Sequence, residues 1–519
     1  MPTFAAVDIG SNSCRLKIAS VQEHQLVTLH EDREVTRLGE SVFQTGVISP
    51  DAMAGTIRAL KRFHKAVQLH VADKVRVVAI SAMRDARNAA AFTEWTKSAT
   101  GWTVEVISGL EEGHLIHLGV VANEPGAQGK CLLIDLGGGS CEITLSDKGS
   151  VKEMVSLPLG AVRLQQEFLQ TDPPAKQDIE RLRQFIDREL TRAEKTLGKP
   201  KVSLVIATSG TAAALAEASV AMAEKLPVRK SVPKDFVLMD KGEALTFDVR
   251  SLADRLAKMT NPEREAVPGI GPKRSEIIVG GAQVYAMLLE RFNLKGFRYS
   301  PLGLRDGMLA QMLAETDLRT EVHQKLESER WAGVLEVCER YGVDQVKADP
   351  IRQHAVELFD AMRRVHELPD EYRLWIEAAA MMQEVGKYMN HQGHHRHTQY
   401  IIANSEIFGF SPEQRQIVSA IARYLGKSRL DPADRVMRVI APEEQTHVTR
   451  AVVLLRLAVA LNQDRASAVV GLKTTVYPKR VVLDIVPGRG GAELEVWAVK
   501  KEADYFREVF KRDLFVDVE

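Results

Sequence analysis

Short apolar runs alternate with amphipathic segments along the N-terminal quarter of the chain. The apolar runs, which predict buried strands, span residues 4–9, 16–21, 75–80 and 104–107. Apolar side chains recur three and four positions apart in the segments that predict helices, at residues 51–72, 89–100 and 111–121. Strands that alternate with helices are typical of a layered α/β domain.

The same alternation restarts after residues 123–130, where a proline and two glycines mark a domain boundary. The strands predicted beyond it span residues 131–136, 142–145, 151–157 and 202–207. Helices are predicted at residues 178–197 and 275–292, and residues 260–274 predict an exposed loop. This second set of elements predicts a second α/β domain.

The pattern changes near Leu309, after which helical spacing dominates to about Arg465. Strand-like runs return at residues 472–476, 481–486 and 494–499. A chain of 519 residues is long enough for several hydrophobic cores. The sequence therefore predicts α/β domain I at 1–124, α/β domain II at 125–308, an all-helical domain at 309–465 and a small mixed module at 466–519.

Charge and composition exclude some classes of partner. Lys plus Arg and Asp plus Glu each total 69, so the formal net charge is zero, and aromatic residues are 6% of the chain. A protein that coats nucleic acid usually has a basic excess, and stacking on single strands needs aromatic side chains. We therefore expect no specific nucleic-acid partner, and any anionic ligand must be bound by a local site.

Cysteine usage and hydropathy predict the compartment. The four cysteines, Cys14, Cys131, Cys141 and Cys338, are too few for a disulfide framework, and their spacing suits no zinc site. The N-terminus lacks the basic and apolar segments of a secretion signal, and Arg456 interrupts the longest apolar stretch. We expect a reduced, cytoplasmic protein with no membrane partner.

Two segments of the α/β half share one pattern, because DIGSNSC begins at Asp8 and DLGGGSC begins at Asp135. The residues that match are Asp8, Gly10, Ser13 and Cys14 in the first copy and Asp135, Gly137, Ser140 and Cys141 in the second. Each copy follows an apolar run and precedes another. Such a repeat predicts two related domains that face each other across a cleft.

A glycine turn between two strands exposes backbone N–H groups that can bind phosphate oxygens. Asp8 and Asp135 would repel phosphate there unless they hold a cation, so these carboxylates favour bound Mg²⁺. Two ordinary β-hairpin turns are the alternative interpretation. The predicted phosphate-binding residues of the two loops are Gly10, Ser11, Asn12, Ser13, Gly137, Gly138, Gly139 and Ser140.

Several blocks together resemble the exopolyphosphatase and guanosine pentaphosphate phosphohydrolase family of the actin, sugar-kinase and heat-shock ATPase superfamily. They are DIGSNSCRL from residue 8, SAMRDARN from 81, VISGLEEGHLIHLGV from 106, IDLGGGSCEI from 134, SLPLGAVRL from 156, ATSGT from 207 and SPLGLRDGML from 300. The resemblance implies an α/β fold class with two actin-like (ribonuclease H-like) domains. It also implies that Arg84, Ser209, Gly210 and Thr211 contribute to phosphate binding.

Two adjacent glutamates open the helix predicted after residue 110. A carboxylate there could accept a proton from water that attacks a terminal phosphorus, although an acidic pair in a first helical turn also stabilises the helix dipole. The resemblance implies that Glu112 is the catalytic base, with Glu111 as the second candidate.

The expected activity is Mg²⁺-dependent release of terminal phosphate from inorganic polyphosphate by direct attack of water. Guanosine pentaphosphate is the alternative substrate, because it also ends in a phosphoanhydride. A kinase or ATPase of the same superfamily and a non-catalytic polyphosphate or alarmone sensor are further alternatives. The resemblance also implies a homodimer.

Residues 374–410 resemble a degenerate metal-dependent phosphohydrolase domain of the His-Asp type. Gln383 and Glu384 replace the His-Asp pair, so we expect no second active site. The histidines that could still bind metal are His354, His391, His394, His395 and His397. Remote contacts to a long polyanion are the other hypothesis, with Arg396, His397, Lys427, Arg429, Lys479 and Arg480 as candidates.

Overall fold

A computed structural model describes residues 2–224, 242–316, 321–426, 429–463, 468–488 and 491–518. The chain divides into two compact units, unit 1 at Met1–Leu326 and unit 2 at Glu327–Glu519. The domain limits predicted at residues 124, 308 and 465 stay predictions, and Arg465 itself lies outside the described residues.

Unit 1 begins with a set of elements that match the predicted strands and helices closely. They are β1 (Thr3–Ile9), β2 (Ser13–Gln22), β3 (Gln25–Val35), α1 (Val42–Thr45), α2 (Pro50–Leu69), β4 (Lys74–Ala79), α3 (Ser81–Asp85), α4 (Ala89–Thr100), β5 (Glu105–Val106) and α5 (Gly109–Asn123). Strand β3 was not predicted, because it is mostly exposed and therefore lacks a clear apolar run.

A second set follows a short 3₁₀ turn at Pro125–Gln128. It comprises β6 (Cys131–Leu136), β7 (Cys141–Asp147), β8 (Ser150–Leu157), α6 (Ala161–Phe168), α7 (Lys176–Leu197), β9 (Leu204–Thr208), α8 (Ser209–Glu224), β10 (Glu243–Leu245), α9 (Thr246–Leu256), α10 (Asn261–Glu265), α11 (Ile278–Arg291), β11 (Gly296–Tyr299) and α12 (Leu304–Thr316). The loop predicted at residues 260–274 contains α10, which Pro262 and a Thr260–Glu263 capping box initiate.

The two sheets of unit 1 share one strand plan. The first has the order β3-β2-β1-β4-β5, and the second has β8-β7-β6-β9-β11 with β10 added at the far edge. In both, the first three strands of the plan pair antiparallel, and the next two continue in parallel. The internal repeat in the sequence is therefore a repeat of the fold.

Apolar faces explain how the helices of unit 1 pack. Helix α2 buries Met53, Ile57, Leu60 and Phe63 on one side, and its N-cap Ser49 accepts a hydrogen bond from the Ala52 N–H. Helices α5 and α12 cross at glycine positions, since a Cβ on Gly307 would lie 1.7 Å from the Leu115 carbonyl oxygen. The beginning of α5 lies against β8, since a Cβ on Gly109 would lie 2.1 Å from the Ser156 hydroxyl.

Unit 2 is helical over most of its length. Its elements are α13 (Glu321–Arg340, which starts at the end of unit 1), α14 (Gln345–Ala361), α15 (Arg363–His366), α16 (Glu371–Met382), α17 (His394–Asn404), α18 (Pro412–Arg423), α19 (Arg435–Arg438), α20 (Pro442–Ala460), β12 (Val469–Val476), β13 (Arg480–Pro487), α21 (Glu493–Phe510) and β14 (Asp513–Val518). One apolar core joins these helices to the inner faces of β13 and β14.

One prediction in unit 2 was wrong. Residues 494–499 form the first turns of helix α21 and not a strand. Val499, Phe506 and Phe510 are buried with helical spacing, whereas Leu494 and Trp497 are exposed. The six-residue run was too short to distinguish the two periods. Among the described helices, none is long and apolar enough to cross a membrane.

Candidate functional site

The two loops of the repeat have the same backbone geometry. The Gly10 N–H donates to the Ser13 carbonyl at 3.1 Å, and the Gly137 N–H donates to the Ser140 carbonyl at 3.0 Å. In the strand registers that follow, Asp8 lies opposite Arg15 and Asp135 lies opposite Glu142. Each carboxylate therefore has a charged neighbour of its own, which is positive in one copy and negative in the other.

The loops approach each other so closely that glycine is required in the second. A Cβ on Gly138 would lie 2.9 Å from the Cβ of Ser11, and a Cβ on Gly139 would lie 2.1 Å from the Ser81 hydroxyl. The hydroxyls of Ser11 and Ser81 are 2.9 Å apart. The turns are thus parts of one site rather than separate hairpins.

A cavity of about 610 Å³ opens between the two sheets, a size typical of ligand pockets. The predicted site residues that line it are Asp8, Gly10, Ser11, Asn12, Ser13, Glu112, Asp135, Gly137, Gly138, Ser209, Gly210 and Thr211. Arg84 and Ser140 lie beside its wall, where Arg84 donates to Glu112 at 3.0 Å and to the Ser140 hydroxyl at 3.3 Å.

Glu111 points elsewhere and is not part of the cavity wall. Its carboxylate lies 3.5 Å from Arg76, which also pairs with Glu105. The Glu111 N–H is bound by the Ser108 hydroxyl that caps α5, and the helix then turns Glu112 toward the cavity. The structure brings Glu112 and not Glu111 to the predicted phosphate loops.

Three carboxylates converge beside the cavity, and Glu112 and Asp135 among them are lining residues. Oxygens of Glu112, Asp135 and Glu142 all lie within 4.8 Å of one another. Thr208 donates to Asp135 at 2.5 Å, and Ser156 donates to Glu142 at 2.8 Å. Each acid is therefore fixed by a polar neighbour while its charge adds to the same small volume.

Burial and mutual repulsion raise the pKa values of these three acids. Burial first, and then the Glu142 charge, raise the pKa of Glu112 well above its usual value. Burial and the Asp135 charge raise the pKa of Glu142 to about 7. The pKa values of Asp135 and Asp8 are also raised, mainly by burial.

These residues fit a hard divalent cation. Oδ1 of Asp8 and Oε2 of Glu142 are buried without a hydrogen-bond partner among the described residues. An all-oxygen set of carboxylates is the donor set that Mg²⁺, Mn²⁺ and Ca²⁺ prefer, and a cation would relieve the repulsion between them. The predicted ligand Asp135 belongs to the cluster of three, and Asp8 lines the same cavity.

Four arginines also line the cavity, together with the carboxylates Glu31, Asp32 and Asp306. The arginines are Arg15, Arg33, Arg274 and Arg305. Burial, followed by the charges of Arg33 and Arg15, lowers the pKa of Arg274 to about 10. Gly210 leaves room for this guanidinium, since a Cβ there would lie 1.4 Å from an Arg274 nitrogen. Cations that repel one another in a cavity form a site for an anion with several charges.

Glu142 and the four arginines of the cavity were not among the predicted site residues. A signal for two of them was present, because Arg15 and Glu142 directly follow Cys14 and Cys141, the last matched residues of the repeat. Arg33 lies on the unpredicted strand β3, and Arg274 lies in the segment interpreted as an exposed loop. No motif connects those two arginines with the cavity.

The histidines of unit 2 that were predicted as possible metal ligands are arranged differently from the carboxylates of unit 1. The His394 and His395 rings pack 4.0 Å apart, and His354 bonds Asn462 at 2.8 Å. Within the described residues, the Glu112 cluster is the one group of three or more side chains with metal-ligand spacing, and the histidines do not form another.

The residues proposed to contact a distant polyanion in unit 2 are partly engaged with neighbours. Arg429 pairs with Glu508, and Arg480 lies over the Tyr477 ring at 4.8 Å. Arg396 and Lys479 are exposed and His397 is half-buried, whereas Lys427 lies outside the described residues. Their role in anion binding stays a prediction.

Residues 17–316 match the model of the Ppx/GppA phosphatase family, and residues 330–486 match the model of domain III of Ppx/GppA phosphatases. The first match alone spans more than half of the chain. The protein therefore belongs to the Ppx/GppA phosphatase family and is a phosphohydrolase by class. The resemblance inferred from the sequence blocks is confirmed, while the His-Asp character of the helical region stays a prediction.

Several solved structures are similar to part of this chain over nearly their whole length. An exopolyphosphatase-like protein is 29% identical, with 59% of this chain and 96% of that chain covered and a TM-score of 0.54. An exopolyphosphatase from Cytophaga hutchinsonii is 25% identical, with 61% and 100% covered and a TM-score of 0.54. The Aquifex aeolicus family member is 29% identical, with 61% and 99% covered and a TM-score of 0.49. The predicted α/β fold class, with two sheets of one strand plan and a helical C-terminal part, is confirmed.

Proposed function

We propose that the protein is an exopolyphosphatase, which hydrolyses the terminal phosphoanhydride bond of inorganic polyphosphate in the cavity of unit 1. The observation that carries this proposal is the division of the cavity. Three carboxylates converge where Glu112 and Asp135 line the cavity, and four arginines lie elsewhere on its lining. A linear polyanion with one reacting end needs both parts.

Glu112 is the proposed general base. It is buried at the start of α5 and projects into the cavity, and burial and the Glu142 charge raise its pKa, which makes its carboxylate a stronger base than an ordinary glutamate. Arg84 holds the carboxylate in one orientation through a 3.0 Å bond. When a terminal phosphate enters, the same guanidinium can contact its oxygens and leave Glu112 available to the attacking water.

Backbone N–H groups of the two loops would bind the terminal phosphate. The turns at Gly10 and Gly137 expose them on facing sides of the cavity, with the Ser13 hydroxyl as a further donor. Donors fixed in this way stabilise the charge that develops on phosphate oxygens without rearranging during the reaction. Since the loops come from both sheets, the terminal phosphate is bound only where the two domains meet.

The residues that would hold a cation are Asp135 and Glu142, with Asp8 facing them from the first loop. A bound Mg²⁺ would neutralise part of the substrate charge and offset the repulsion between phosphate and carboxylates. Thr208 and Ser156 keep these two carboxylates in place through their hydroxyl groups.

Phosphate release from long polyphosphate, short polyphosphate and guanosine pentaphosphate at equal concentration tests the proposal. We expect Mg²⁺-dependent release from polyphosphate that is lost in Glu112→Gln. Activity in excess chelator, or release from ATP that exceeds release from both polyphosphates, would refute it. A released diphosphate in place of monophosphate would show that the reacting bond is not the terminal one.

Guanosine pentaphosphate is the second candidate substrate, and one feature of the cavity favours it. Tyr299, Ile277 and Leu302 line the wall beside the arginines and offer apolar and aromatic surface to a purine. A preference for the nucleotide that disappears in Tyr299→Ala, while polyphosphate hydrolysis is retained, would select this alternative.

A further inference from the structure

Arg163, on helix α6 directly behind the second phosphate loop, has contacts on every side of its guanidinium. Its Nε donates to the Gly139 carbonyl at 2.8 Å, and the group forms an ion pair with Asp85. The guanidinium carbon lies 4.1 Å from the centre of the Phe43 ring, and Glu167 approaches at 3.5 Å. No cavity-lining role accounts for these contacts, because Arg163 is not part of the cavity wall.

These contacts join the two α/β sheets where their loops meet. Gly139 belongs to the loop between β6 and β7, whereas Phe43 and Asp85 lie on α1 and α3 of the first sheet's layer. The Gln44 side chain supports the same junction by donating to the Gln166 carbonyl at 2.8 Å. The Arg163 fork therefore connects the second loop to the segment that carries Arg84.

Arg84 also joins the two sheets, through residues adjacent in the chain to those that Arg163 contacts. Arg84 precedes Asp85 in the chain, and its contact Ser140 follows Gly139. It also donates to the Ile107 carbonyl at 2.9 Å and to Glu112 at 3.0 Å. Arg163 thus reaches from the second sheet's layer to the first, and Arg84 reaches from the first to the second. The position of Arg84 depends on Asp85 and Gly139, which Arg163 contacts.

We propose that Arg163 is a positioning residue for the hydrolytic site, which sets the place of Arg84 relative to Glu112 and Ser140 by holding Asp85 and the Gly139 carbonyl together. This inference rests on the proposed function. A planar guanidinium is needed, because it can serve the carbonyl, the carboxylate and the ring face at once, whereas an ammonium offers a single point charge.

The effect of Arg163 should fall on turnover rather than on stability. The Asp85 side chain is 41% exposed to solvent, and ion pairs in such positions contribute little to the free energy of unfolding. Small displacements of a catalytic group, by contrast, can reduce rates by up to roughly 100-fold. Arg163→Met keeps the packing of the aliphatic stem and removes the fork.

Four variants test this proposal. For each, kcat and KM are measured with short polyphosphate, and the thermal unfolding temperature is measured separately. Arg163→Met should lose roughly 10- to 100-fold in kcat with little change in unfolding temperature, and Arg163→Lys should recover part of the loss. Arg291→Met is the matched control, since Arg291 also forks between two helices through Asp187 and Glu194 but lies away from the loops. The control should retain kcat within about twofold.

Asp85→Asn is the fourth variant and keeps the proposal testable if Arg163→Met does not fold. It leaves the Gly139 and Phe43 contacts in place and should reduce kcat at least about threefold. An unchanged kcat in a folded Arg163→Met or Asp85→Asn protein would overturn the positioning role.

Coupling to Glu112 separates positioning from a general loss of structure. If Arg163 acts through Arg84 and Glu112, then Arg163→Met should cause no more than about a threefold further loss in single-turnover rate when Glu112 is already Gln. A full multiplicative loss in the double variant would contradict the proposal. A wild-type protein without polyphosphatase activity would instead refute the proposed function itself.

Discussion

The two halves of the cleft have the same backbone and opposite electrostatics. The loop at Gly10 and the loop at Gly137 close with the same hydrogen bond and follow the same strand of the same sheet plan. Across the strands from the two aspartates, however, one half presents Arg15 and the other presents Glu142. In the proposed function the duplicated turn offers backbone donors to phosphate twice, and the residue opposite each aspartate, Arg15 or Glu142, gives the two halves opposite charge.

The difference extends beyond the turns. The basic half gathers Arg33, Arg274 and Arg305 around Arg15, and their mutual repulsion helps to lower the pKa of Arg274 to about 10. The acidic half gathers Glu112 with Asp135 and Glu142, and repulsion helps to raise the pKa of Glu142 to about 7. Each half therefore holds like charges close together, and a ligand of opposite charge would relieve their repulsion.

Removing the proposed base should have the largest effect on this asymmetric site. Glu112→Gln keeps the shape of the side chain but cannot accept a proton from water, so kcat should fall on the order of 10²–10⁴-fold while polyphosphate affinity is retained. Glu111→Gln is the control on the same helix turn and should be far milder, because Glu111 faces Arg76. Single-turnover hydrolysis and equilibrium binding measure the effect of each variant. A large loss of rate in Glu111→Gln would instead assign the general base to Glu111.

Neutralising Glu142 tests whether the acidic half binds the cation. Glu142→Gln should weaken Mg²⁺ binding on the order of 10–100-fold, since a missing carboxylate removes both an oxygen ligand and charge. The metal concentration that gives half-maximal activity reports this change. Glu153→Gln, on the exposed face of the neighbouring strand β8, provides the control. Unaltered metal dependence in the Glu142 variant would remove it from the cation site.

The basic half should govern substrate affinity. Arg274→Met and Arg33→Met should each raise KM for polyphosphate about tenfold and change kcat less, because a lost charged hydrogen bond is worth about 1.5–3 kcal/mol. The remaining affinity should also depend less on salt. Arg250→Met is a control, since Arg250 pairs with Glu290 on the surface. A fall in kcat at constant KM would place these arginines at the reacting phosphate instead.

Proton release on metal binding should be the smallest effect. Near pH 7 the Glu142 carboxyl is partly protonated because its pKa is raised to about 7, and a bound cation must displace that proton. Mg²⁺ affinity should therefore rise as the pH increases through 7 and level off above it. Calorimetric titration in two buffers of different ionisation enthalpy measures the protons released, and equal release at pH 6.5 and pH 9 would contradict the assignment.

Much of the fold follows from local pattern. The strands β1, β4, β6 and β9 are short apolar runs because both of their faces are covered, and such runs are visible without any tertiary information. The mostly exposed strand β3 carries no such run, and residues 494–499 are too few to tell a helix from a strand. The spacing of apolar residues identifies a helix or strand only where burial of one or both faces requires apolar side chains at regular positions.

The sequence alone predicted the family, the repeated glycine loop and the preference for Glu112 over Glu111, because these predictions depend on contiguous motifs. The tertiary structure alone decided which distant charges share the cavity. Arg33 and Arg274 are separated by most of unit 1 in sequence, and Arg163 meets Asp85 only because two sheets pack loop against loop. Electrostatic interactions depend on distance in space, and a linear pattern records distance only along the chain.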